Sequence, residues 1–405
     1  MKITVGVLFG GRSVENEISV VTASQVIESM DKDKYEIVPI YIAKSGKWYT
    51  GSALLDLKRY RDMPSLLKDC TEVYFKSIYG DRNLYSNSGL FHSQKVVAKI
   101  DTILPTLHGT NCEDGTLHGY LKMMNLPLVG CDLTASAIGM DKYYMKTVFK
   151  DNDIPVLDCK CYTAKDYDTD PDVVEKQIEE TIGYPVIIKP VNLGSSVGIS
   201  KASDRSELTE SLQNAFNFAG KILAERAVEN LKEVNCSVLG DIDDAEASEC
   251  EEPVNSDKIL SYEDKYTSGG KGGAKNGSKG GSKGMASLKR KIPAEITDDQ
   301  RNTIRQMAVK AFKCLGCNGI VRIDFMIDTK SGEIFLNEIN TIPGSLSFYL
   351  WEPLGVKYTE LLDRMIQIAL KRNREQGEIS YAFDTNVLEG ISFGGAKGGT
   401  KGSKM

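Results

Sequence analysis

The first part of the chain alternates between strand-like and helix-like patterns of apolar residues. Residues 3–9 form an apolar run typical of a buried strand, residues 14–30 have the spacing of a helix, and residues 35–42 form a second strand-like run. A strand, a helix and a strand in this order predict a parallel β-α-β unit. A further strand is predicted over residues 97–104, followed by a polar loop at 108–116. We therefore expect the chain to begin with an α/β domain that contains a parallel sheet.

Two strand-like runs enclose a polar loop in the middle of the chain. Residues 184–190 are mainly apolar and contain Lys189, residues 190–198 are rich in Gly and Ser, and a short strand pattern follows at 197–201. The amides and hydroxyls of such a loop can approach phosphate oxygens, and Lys189 adds a positive charge. The loop lacks the ending of a Walker A motif, and Gly-Ser turns are common. It therefore indicates phosphate binding only in combination with other features.

Alternation of apolar and polar positions predicts a β-hairpin late in the chain. Residues 321–328 and 334–340 alternate with a period of two, and the sequence Thr-Lys-Ser-Gly at 329–332 is typical of a turn. If the hairpin centres on Ser331, four polar side chains lie on one face in two opposed pairs. The pairs are Asp324 with Glu338 and Arg322 with Asn340.

The opposed acids of this hairpin indicate a metal site. Two carboxylates that face each other across a strand pair are destabilising unless something neutralises them. Oxygen ligands this close together suit Mg²⁺, which commonly also binds substrate phosphates. The alternative is a solvated sheet face on which Asp324 and Glu338 occur by chance. The presence of Arg322 and Asn340 on the same face favours the metal site.

Composition and charge narrow the class of protein. The 405 residues suggest two or three domains, and 41% hydrophobic with 26% charged residues is typical of a soluble globular protein. The net charge of -6 predicts no general affinity for nucleic acids. We find no apolar run of membrane-spanning length, no signal-peptide pattern at the N-terminus, and too few cysteines for a disulfide scaffold. A cytoplasmic protein is therefore expected.

Several single residues have both a structural and a functional reading. His108 follows the end of a predicted strand, where α/β sheets bind ligands, although a lone histidine is often structural. Glu15 stands at a helix start, where it either interacts favourably with the helix dipole or holds the ammonium group of a ligand. Glu225 and Glu233 either accept hydrogen bonds from an adenine amino group or a ribose hydroxyl, or are exposed acids on a connection.

Six short motifs are spread over most of the chain, from about residue 3 to residue 372. They lie at residues 10–20, 108–115, 140–142, 189–198, 262–266 and 322–344. Together and in this order they resemble the D-alanine–D-alanine ligase family of the ATP-grasp superfamily. One such motif would be a weak signal, whereas six in the family's order are a strong one.

The resemblance implies a three-domain fold that combines α/β and α+β parts, with ATP between the central and C-terminal domains. The expected division is an N-terminal, parallel-sheet α/β substrate-binding domain at 1–133, a central ATP-grasp subdomain at 134–224, a C-terminal ATP-grasp subdomain at 225–380 and a flexible tail at 381–405. In the implied reaction, ATP phosphorylates the carboxylate of a first D-alanine, and the amine of a second one attacks the acyl phosphate. The dipeptide D-alanyl-D-alanine would serve peptidoglycan synthesis. Two Mg²⁺ ions, with Mn²⁺ as an alternative, and a homodimer through the first domain are also implied.

The resemblance further implies roles for individual residues. The residues that would bind ATP are Lys142, Lys189, Ser195, Ser196, Glu225, Glu233, Lys265 and Asn337. The metal ligands would be Asp324, Glu338 and Asn340. The first D-alanine would contact Glu15, which Ser195 and Tyr266 would orient, and would have His108 near its carboxylate. Arg322 and the backbone amide of Gly344 would stabilise the transferring phosphate and the tetrahedral intermediate.

The sequence departs from the family pattern at two places. After residues 340–344 the family continues with a Ser-His-Ser-like run whose last serine binds the carboxylate of the acceptor, whereas Tyr349 stands at that position here. The hydroxyl of Tyr349 or of Ser347 can substitute, and either would reshape the acceptor pocket. The second departure is a Gly/Lys-rich segment at 269–284, which begins three residues after Tyr266, inside the family's short catalytic lid.

The Gly/Lys-rich segment has a counterpart at the end of the chain. Residues 269–284 have a lysine at every fourth position, and residues 394–404 repeat the composition. So much glycine cannot hold a helix, and both segments are predicted to be flexible. Three interpretations remain open: solvated spacers, contact with a polyanion such as nucleic acid or an anionic cell-wall precursor, or positive charge at the mouth of the active site.

The function expected from the sequence is that of an ATP-dependent D-alanine–D-alanine ligase. One alternative is the same chemistry with another acceptor, such as D-serine or a different amine. Another is a binding or regulatory protein that keeps the nucleotide fold without turnover. The intact set of phosphate, metal and transfer residues argues against the latter.

Overall fold

The computed structural model describes residues 2–88, 93–194, 197–254 and 290–380, together with 382 and 389. Three β-sheets follow one another along this part of the chain. None of its helices is long and apolar enough to span a membrane.

The first sheet has seven strands in the order β6-β5-β4-β3-β2-β1-β7. Its strands are β1 (Ile3–Gly10), β2 (Tyr35–Ile42), β3 (Trp48–Thr50), β4 (Thr71–Phe75), β5 (Asn83–Ser88), β6 (Ser93–Lys99) and β7 (Thr102–Pro105). β1 lies parallel to both β2 and β7, and the other pairs are antiparallel. The helices of this region are α1 (Asn16–Ser29), α2 (Met63–Lys68) and α3 (Thr116–Met123), with short 3₁₀ turns at Ser52–Leu55 and Leu57–Arg61. The predicted β-α-β unit and the α/β character of this part of the chain are confirmed.

The single strand predicted over residues 97–104 is wrong, because the chain turns within it and divides it between β6 and β7. These two strands lie at opposite ends of the strand order. The turn is fixed to β1 through Asp101, whose N–H donates to the Thr4 carbonyl at 2.9 Å and whose side chain accepts from the Thr4 N–H at 2.8 Å. The predicted strand ran straight through Asp101, the polar residue at which the chain turns.

The second sheet has four antiparallel strands in the order β10-β9-β11-β8. They are β8 (Cys159–Thr163), β9 (Val186–Pro190), β10 (Ser200–Ala202) and β11 (Lys221–Arg226). The helices that precede or accompany them are α4 (Leu133–Met140), α5 (Lys142–Asp151), α6 (Ala164–Thr169), α7 (Pro171–Thr181) and α8 (Arg205–Phe216). Met145 and Phe149 of α5 are buried in the core of the third sheet, so α5 lies between the second and third sheets.

The third sheet has five antiparallel strands in the order β14-β13-β12-β15-β16. They are β12 (Leu231–Gly240), β13 (Ala245–Pro253), β14 (Arg290–Lys291), β15 (Gly319–Asp328) and β16 (Ile334–Asn340). The accompanying helices are α9 (Asp298–Cys314) and α10 (Tyr358–Gly377), with 3₁₀ segments at Gly344–Leu350 and Glu352–Leu354. The predicted hairpin and its turn are confirmed.

One hydrophobic core contains side chains from both ends of the chain. We call each sheet with its accompanying helices a region. Val5 of β1 and Val26 of α1, in the first region, belong to the same buried cluster as Trp351 and Ile366 of the third region. Since burial of apolar surface is the main stabilising contribution, this cluster holds the segment after β16 against the first region. A cavity lies where the loop after β7, the loop after β9 and strand β16 meet.

Candidate active site

The register of β15 and β16 brings the four polar side chains of the hairpin together. Asp324 pairs with Glu338 and Arg322 pairs with Asn340, as the sequence predicted. Directly paired residues on neighbouring strands point to the same face of a sheet. The prediction that these four side chains share one face is therefore confirmed.

A β-bulge at Asn337 is responsible for this pairing. Next to Asp324, Phe325 pairs with Leu336, so that β16 has one extra residue between the two pairs. With a regular register from the turn onward, Asp324 would face Asn337 instead of Glu338. The bulge therefore aligns the two acids.

Asp324 accepts hydrogen bonds from two neighbours on this face. Arg322 donates through Nε and Nη2 to Oδ1 and Oδ2 of Asp324 at 2.7 and 2.8 Å, and Asn340 Nδ2 donates to Oδ2 at 3.2 Å. The side chains of Arg322 and Asp324 are only 12% and 16% exposed. Burial raises the pKa of Asp324, Arg322 opposes that rise, and the charge of Glu338 adds to it. A further cation would stabilise the ionised pair of acids.

The donor set on the hairpin fits a hard divalent cation. Asp324 and Glu338 offer carboxylate oxygens, and Asn340 offers its amide oxygen because its NH₂ group faces Asp324. The described residues contain no group of three or more His, Cys, Asp or Glu side chains that could hold a metal. The remaining ligands would thus be water and substrate oxygens, which is the usual situation for Mg²⁺.

The row of polar side chains continues across the sheet beyond the hairpin. Asp324 pairs with Asn235 of β12, and Asn235 pairs with Glu251 of β13. Asn235 Nδ2 donates to Oε1 of Glu251 at 3.0 Å. Four neighbouring strands therefore present Glu251, Asn235, Asp324 and Glu338 side by side on one face.

Glu225 lies buried between two lysines. Its carboxylate forms ion pairs with Lys146, at 2.5 Å, and with Lys189. Burial opposes ionisation, but the two ammonium groups outweigh it and lower the pKa of Glu225 to about 2. Lys189 also donates to Oδ1 of Asn337 at 3.2 Å. The reading of Glu225 as an exposed acid is wrong, while Glu233 is partly buried on β12.

Lys142 connects the polar loop after β9 with the metal hairpin. It is the first residue of α5, and Asp141 caps that helix by accepting from the N–H groups of Tyr143 and Tyr144. Lys142 Nζ donates to the Leu193 carbonyl at 2.8 Å and lies 3.5 Å from Oε2 of Glu338. A cation so placed can contact phosphate oxygens held by the loop and by a metal on the hairpin.

Glu15 lies directly against the loop that follows β7. A Cβ atom at Gly109 would be 2.7 Å from Oε2 of Glu15, and the φ of +77° at this residue favours glycine. A Cβ atom at Gly194 would be 3.9 Å from the same oxygen, so the loop after β9 also reaches Glu15. Burial, and then the charge of Glu15, raise the pKa of Glu113 to about 8. Two acids this close together favour a cationic group beside them, such as an ammonium ion.

Both ring nitrogens of His108 are engaged by the protein. Nε2 lies 3.0 Å from Oγ1 of Thr22, and Nδ1 lies 2.9 Å from the Ile342 carbonyl oxygen. Burial lowers the pKa of His108, which favours the neutral ring. These contacts tie the loop after β7 to the segment after β16.

The segment after β16 contains an unusual backbone turn. Ser345, Leu346 and Ser347 have φ values of 53°, 49° and 49°, in the left-handed region. For L-residues this conformation costs about 1–2 kcal/mol each. Gly344 directly precedes this turn, and Ser347 is fully buried.

Tyr349 is held by a buried ion pair. Its hydroxyl donates to Oε1 of Glu251 at 3.4 Å, and the guanidinium of Arg290 lies 3.9 Å from its ring centroid. Arg290 and Glu251 form an ion pair at 2.7 Å. The position where the family has a serine is therefore occupied by a fixed aromatic residue.

A single cavity lies between the loop after β7, the start of α5, the polar loop after β9 and the metal hairpin. It is lined by Glu113, Lys142, Gly194, Glu338 and Asn340, among others. Loops of the first region, the start of α5, the polar loop and the hairpin therefore converge on one place. The predicted residues Ser195, Ser196, Lys265 and Tyr266, and the segments at 269–284 and 394–404, lie outside the described residues.

Sequence reasoning assigned no role to several residues of this arrangement. Lys146 is four positions after Lys142 on one helix, and that spacing is a usable signal for a shared face. Glu113 lies in a recognised motif without an assigned role. Thr22, Glu251 and Arg290 reach the site from distant segments and carry no local signal.

Comparison with known proteins gives matches to both halves of one family. Residues 4–131 match the family described as "D-ala D-ala ligase N-terminus", and residues 148–367 match "D-ala D-ala ligase C-terminus". A D-alanine--D-alanine ligase of Thermosipho melanesiensis is 38% identical over 387 residues, which cover 96% of this chain and 98% of the relative. That of Acetivibrio thermocellus is 37% identical over 377 residues, covering 90% and 95%.

Two solved structures of ligases are also similar to this chain over most of its length. The D-alanine-D-alanine ligase from Coxiella burnetii is similar with a TM-score of 0.74 and 27% identity, covering 93% of this chain and 97% of that one. The VanG D-Ala:D-Ser ligase from Enterococcus faecalis is similar with a TM-score of 0.75 and 30% identity, covering 91% and 100%.

Proposed function

The chain belongs to the D-alanine–D-alanine ligase family, whose members are ATP-dependent ligases, and we propose that it joins two D-alanines through an acyl phosphate. The γ-phosphate of ATP passes to the carboxylate of the first D-alanine, and the amine of the second attacks the activated carbon. ADP, phosphate and D-alanyl-D-alanine are released. We also propose that the dipeptide serves peptidoglycan synthesis in the cytoplasm. Membership of an enzyme family argues against a nucleotide-binding protein without turnover.

One observation carries this proposal: a single cavity is lined by groups suited to bind phosphate and a metal, and it borders a site that favours an ammonium group. Lys142 offers a cation to phosphate, Glu338 and Asn340 offer oxygen ligands to a metal, and Glu113 lies beside Glu15 where an ammonium group is favoured. Activation of a carboxylate by phosphoryl transfer needs these three kinds of group close together.

In the first half-reaction, Glu15 would hold the ammonium group of the first D-alanine. His108 would order the loop that lies beside the carboxylate of the same D-alanine. Lys142 and Lys189 would bind the phosphates of ATP. Mg²⁺ supplies neutralising charge when bound, and its ligands would be Asp324, Glu338 and Asn340. The ATP-binding roles of Ser195, Ser196, Glu225, Glu233, Lys265 and Asn337, and the orienting role of Tyr266, are part of the same proposal.

In the second half-reaction, Arg322 and the Gly344 amide would stabilise negative charge on the transferring phosphate and on the tetrahedral intermediate. Arg322 suits this role because its bidentate contact with Asp324 fixes the guanidinium plane. Ser347 or Tyr349 would bind the carboxylate of the acceptor. We also propose that the domains divide at 133/134 and at 224/225. We further propose that the protein is a homodimer, which light scattering in solution tests.

A different acceptor is a specific alternative because of Tyr349. Glu251 and Arg290 hold this residue in place. A tyrosine would therefore line the acceptor pocket at the position where the family pattern has a serine. A 30% identical structural relative is named as a D-Ala:D-Ser ligase. D-Serine is therefore the first alternative acceptor to test.

The test measures ADP release with Mg·ATP and one amino acid at a time, in D- and L-forms, with products identified by mass spectrometry. Dipeptide formed from D-alanine alone supports the proposal. If ADP appears only after D-serine or another amine is added to D-alanine, that amine replaces D-alanine as acceptor. If no amino acid produces ADP, the ligase proposal fails.

A further inference from the structure

A continuous chain of hydrogen bonds connects α1 and the loop after β7 with the turn after β16. The N–H of Ser345 donates to Oγ1 of Thr22 at 3.3 Å, and that oxygen lies 3.0 Å from Nε2 of His108. Nδ1 of His108 lies 2.9 Å from the carbonyl oxygen of Ile342, whose N–H donates to Oε1 of Glu113 at 3.2 Å. The first region therefore contacts the segment after β16 through both backbone groups of Ile342 and through the amide of Ser345.

The chemistry of each atom determines the direction of these bonds. The carbonyl oxygen of Ile342 only accepts, so Nδ1 of His108 carries the proton and donates. In the neutral ring Nε2 accepts, so the hydroxyl of Thr22 donates to it. The Thr22 oxygen then remains as the acceptor for the N–H of Ser345. A single hydroxyl thus serves both sides of the chain of bonds.

The turn that these bonds reach is one that L-residues disfavour. Its three residues have left-handed φ values, and its internal bond runs from the Leu346 N–H to the Pro343 carbonyl at 2.8 Å. Within the described part of the chain, the side-chain oxygens of Ser345 and Ser347 have no hydrogen-bond partner, so they do not hold the turn. Such a conformation persists only where the surrounding structure imposes it. The contact with Thr22 is one such constraint.

We infer that Thr22 is a positioning residue, whose hydroxyl holds Ser345 and His108 so that the Gly344 amide and the acceptor side of the site keep one geometry. The inference rests on the proposed ligase function and adds to it a residue of α1. Thr22 is buried and acts through its two partners. Because a misplacement of about 1 Å can cost about 100-fold in rate, loss of the hydroxyl lowers kcat and leaves ATP binding unchanged.

Three variants at this position separate the hydroxyl from the shape of the side chain. Thr22→Val keeps the shape without the hydroxyl, Thr22→Ser keeps the hydroxyl, and Thr22→Ala differs from the serine variant by the hydroxyl alone. We expect kcat for dipeptide formation to fall about 10- to 100-fold in the valine and alanine variants, with the KM for ATP within about twofold of wild type. The serine variant should recover most of the rate. If valine prevents folding, the alanine and serine variants decide the question.

Thr102→Val is the matched control. Thr102 is equally buried on β7, and its hydroxyl donates to the Pro127 carbonyl at 3.1 Å, remote from the turn. The control should lose thermal stability without losing kcat. An unchanged kcat in Thr22→Ala, a loss no larger than in Thr102→Val, or no recovery in Thr22→Ser would overturn the positioning role. A wild type that releases no ADP with D-alanine would instead contradict the proposed function itself.

Discussion

Nζ of Lys146 lies 2.5 Å from Oε2 of Glu225, and both side chains are almost fully buried. With Lys189 they form a group in which one acid offsets two cations. Glu225→Gln would leave both ammonium groups buried without an ionised partner, and breaking a buried pair costs about 3–5 kcal/mol. We expect the free energy of unfolding to fall by that amount, measured by urea denaturation.

The control for this prediction is Glu17→Gln. Glu17 pairs with Lys44 on the exposed surface at 2.5 Å, and exposed ion pairs contribute little to stability. Its unfolding midpoint should stay near that of the wild type. Equal losses in the two variants would mean that the buried group is no more important than a surface pair.

The same acid predicts how stability depends on pH. Burial opposes ionisation of Glu225, but Lys146 and Lys189 lower its pKa to about 2 in the folded protein, from an ordinary value of 4.5. Because the folded pKa is the lower one, Glu225 contributes stability that is present above the unfolded pKa and is lost as the pH falls toward about 2. The difference in unfolding free energy between wild type and Glu225→Gln should be constant near neutral pH and shrink below about pH 4.5. A difference that grows on acidification would contradict this assignment.

Asp324→Ala removes one of the two opposed acids of the hairpin and with it a ligand of the proposed metal. We expect ADP release to fall by at least about 100-fold, because metal coordination contributes several kcal/mol to the transition state. Asp328→Asn is the control, since Asp328 lies at the turn of the same hairpin and accepts from the Lys330 N–H at 2.9 Å. Full activity of Asp324→Ala would rule out the metal assignment, and an inactive control would point to misfolding of the hairpin.

Tyr349→Phe removes the hydroxyl that donates to Glu251 while keeping the ring beside Arg290. If this hydroxyl turns from Glu251 and donates to the carboxylate of the acceptor instead, the KM for the second D-alanine should rise about tenfold or more, with the KM for ATP unchanged. Tyr358→Phe is the control, because Tyr358 is partly buried and its buried hydroxyl oxygen has no hydrogen-bond partner in the described structure. No change in Tyr349→Phe would leave Ser347 as the acceptor contact.

The hairpin was predictable because strand alternation is a local property. Near the turn, Ile327 pairs with Ile334, which centres the hairpin between residues 330 and 331. The expected pairing of Asp324 with Glu338 nevertheless holds, because the bulge at Asn337 shifts the register by one residue. The prediction was confirmed through an irregularity that the sequence pattern did not reveal.

Contacts between distant segments could not be predicted in this way. Thr22 meets Ser345 across 323 positions, and Tyr349 meets Glu251 across 98 positions. Neither pair follows a helix or strand period, so only the packing of the first region against the third brings them together. The spacing of Lys146 from Lys142 indicates that both lie on one face of α5, but the contact of Lys146 with Glu225, 79 positions away, could not be predicted.

Strand β1 and helix α10, the first and last elements in the described part of the chain, both contribute side chains to one hydrophobic core. When only the first third of the chain has been synthesised, α1 covers one face of the first sheet in part, but the side chains that α10 contributes to the same cluster are still missing. That face gains its full cover only after Ala369 has left the exit tunnel, since α10 contributes Leu361 through Ala369 to the cluster. The nascent chain therefore exposes part of this apolar surface for most of its synthesis. Chaperones would bind there, and a prematurely terminated chain would aggregate through the same surface.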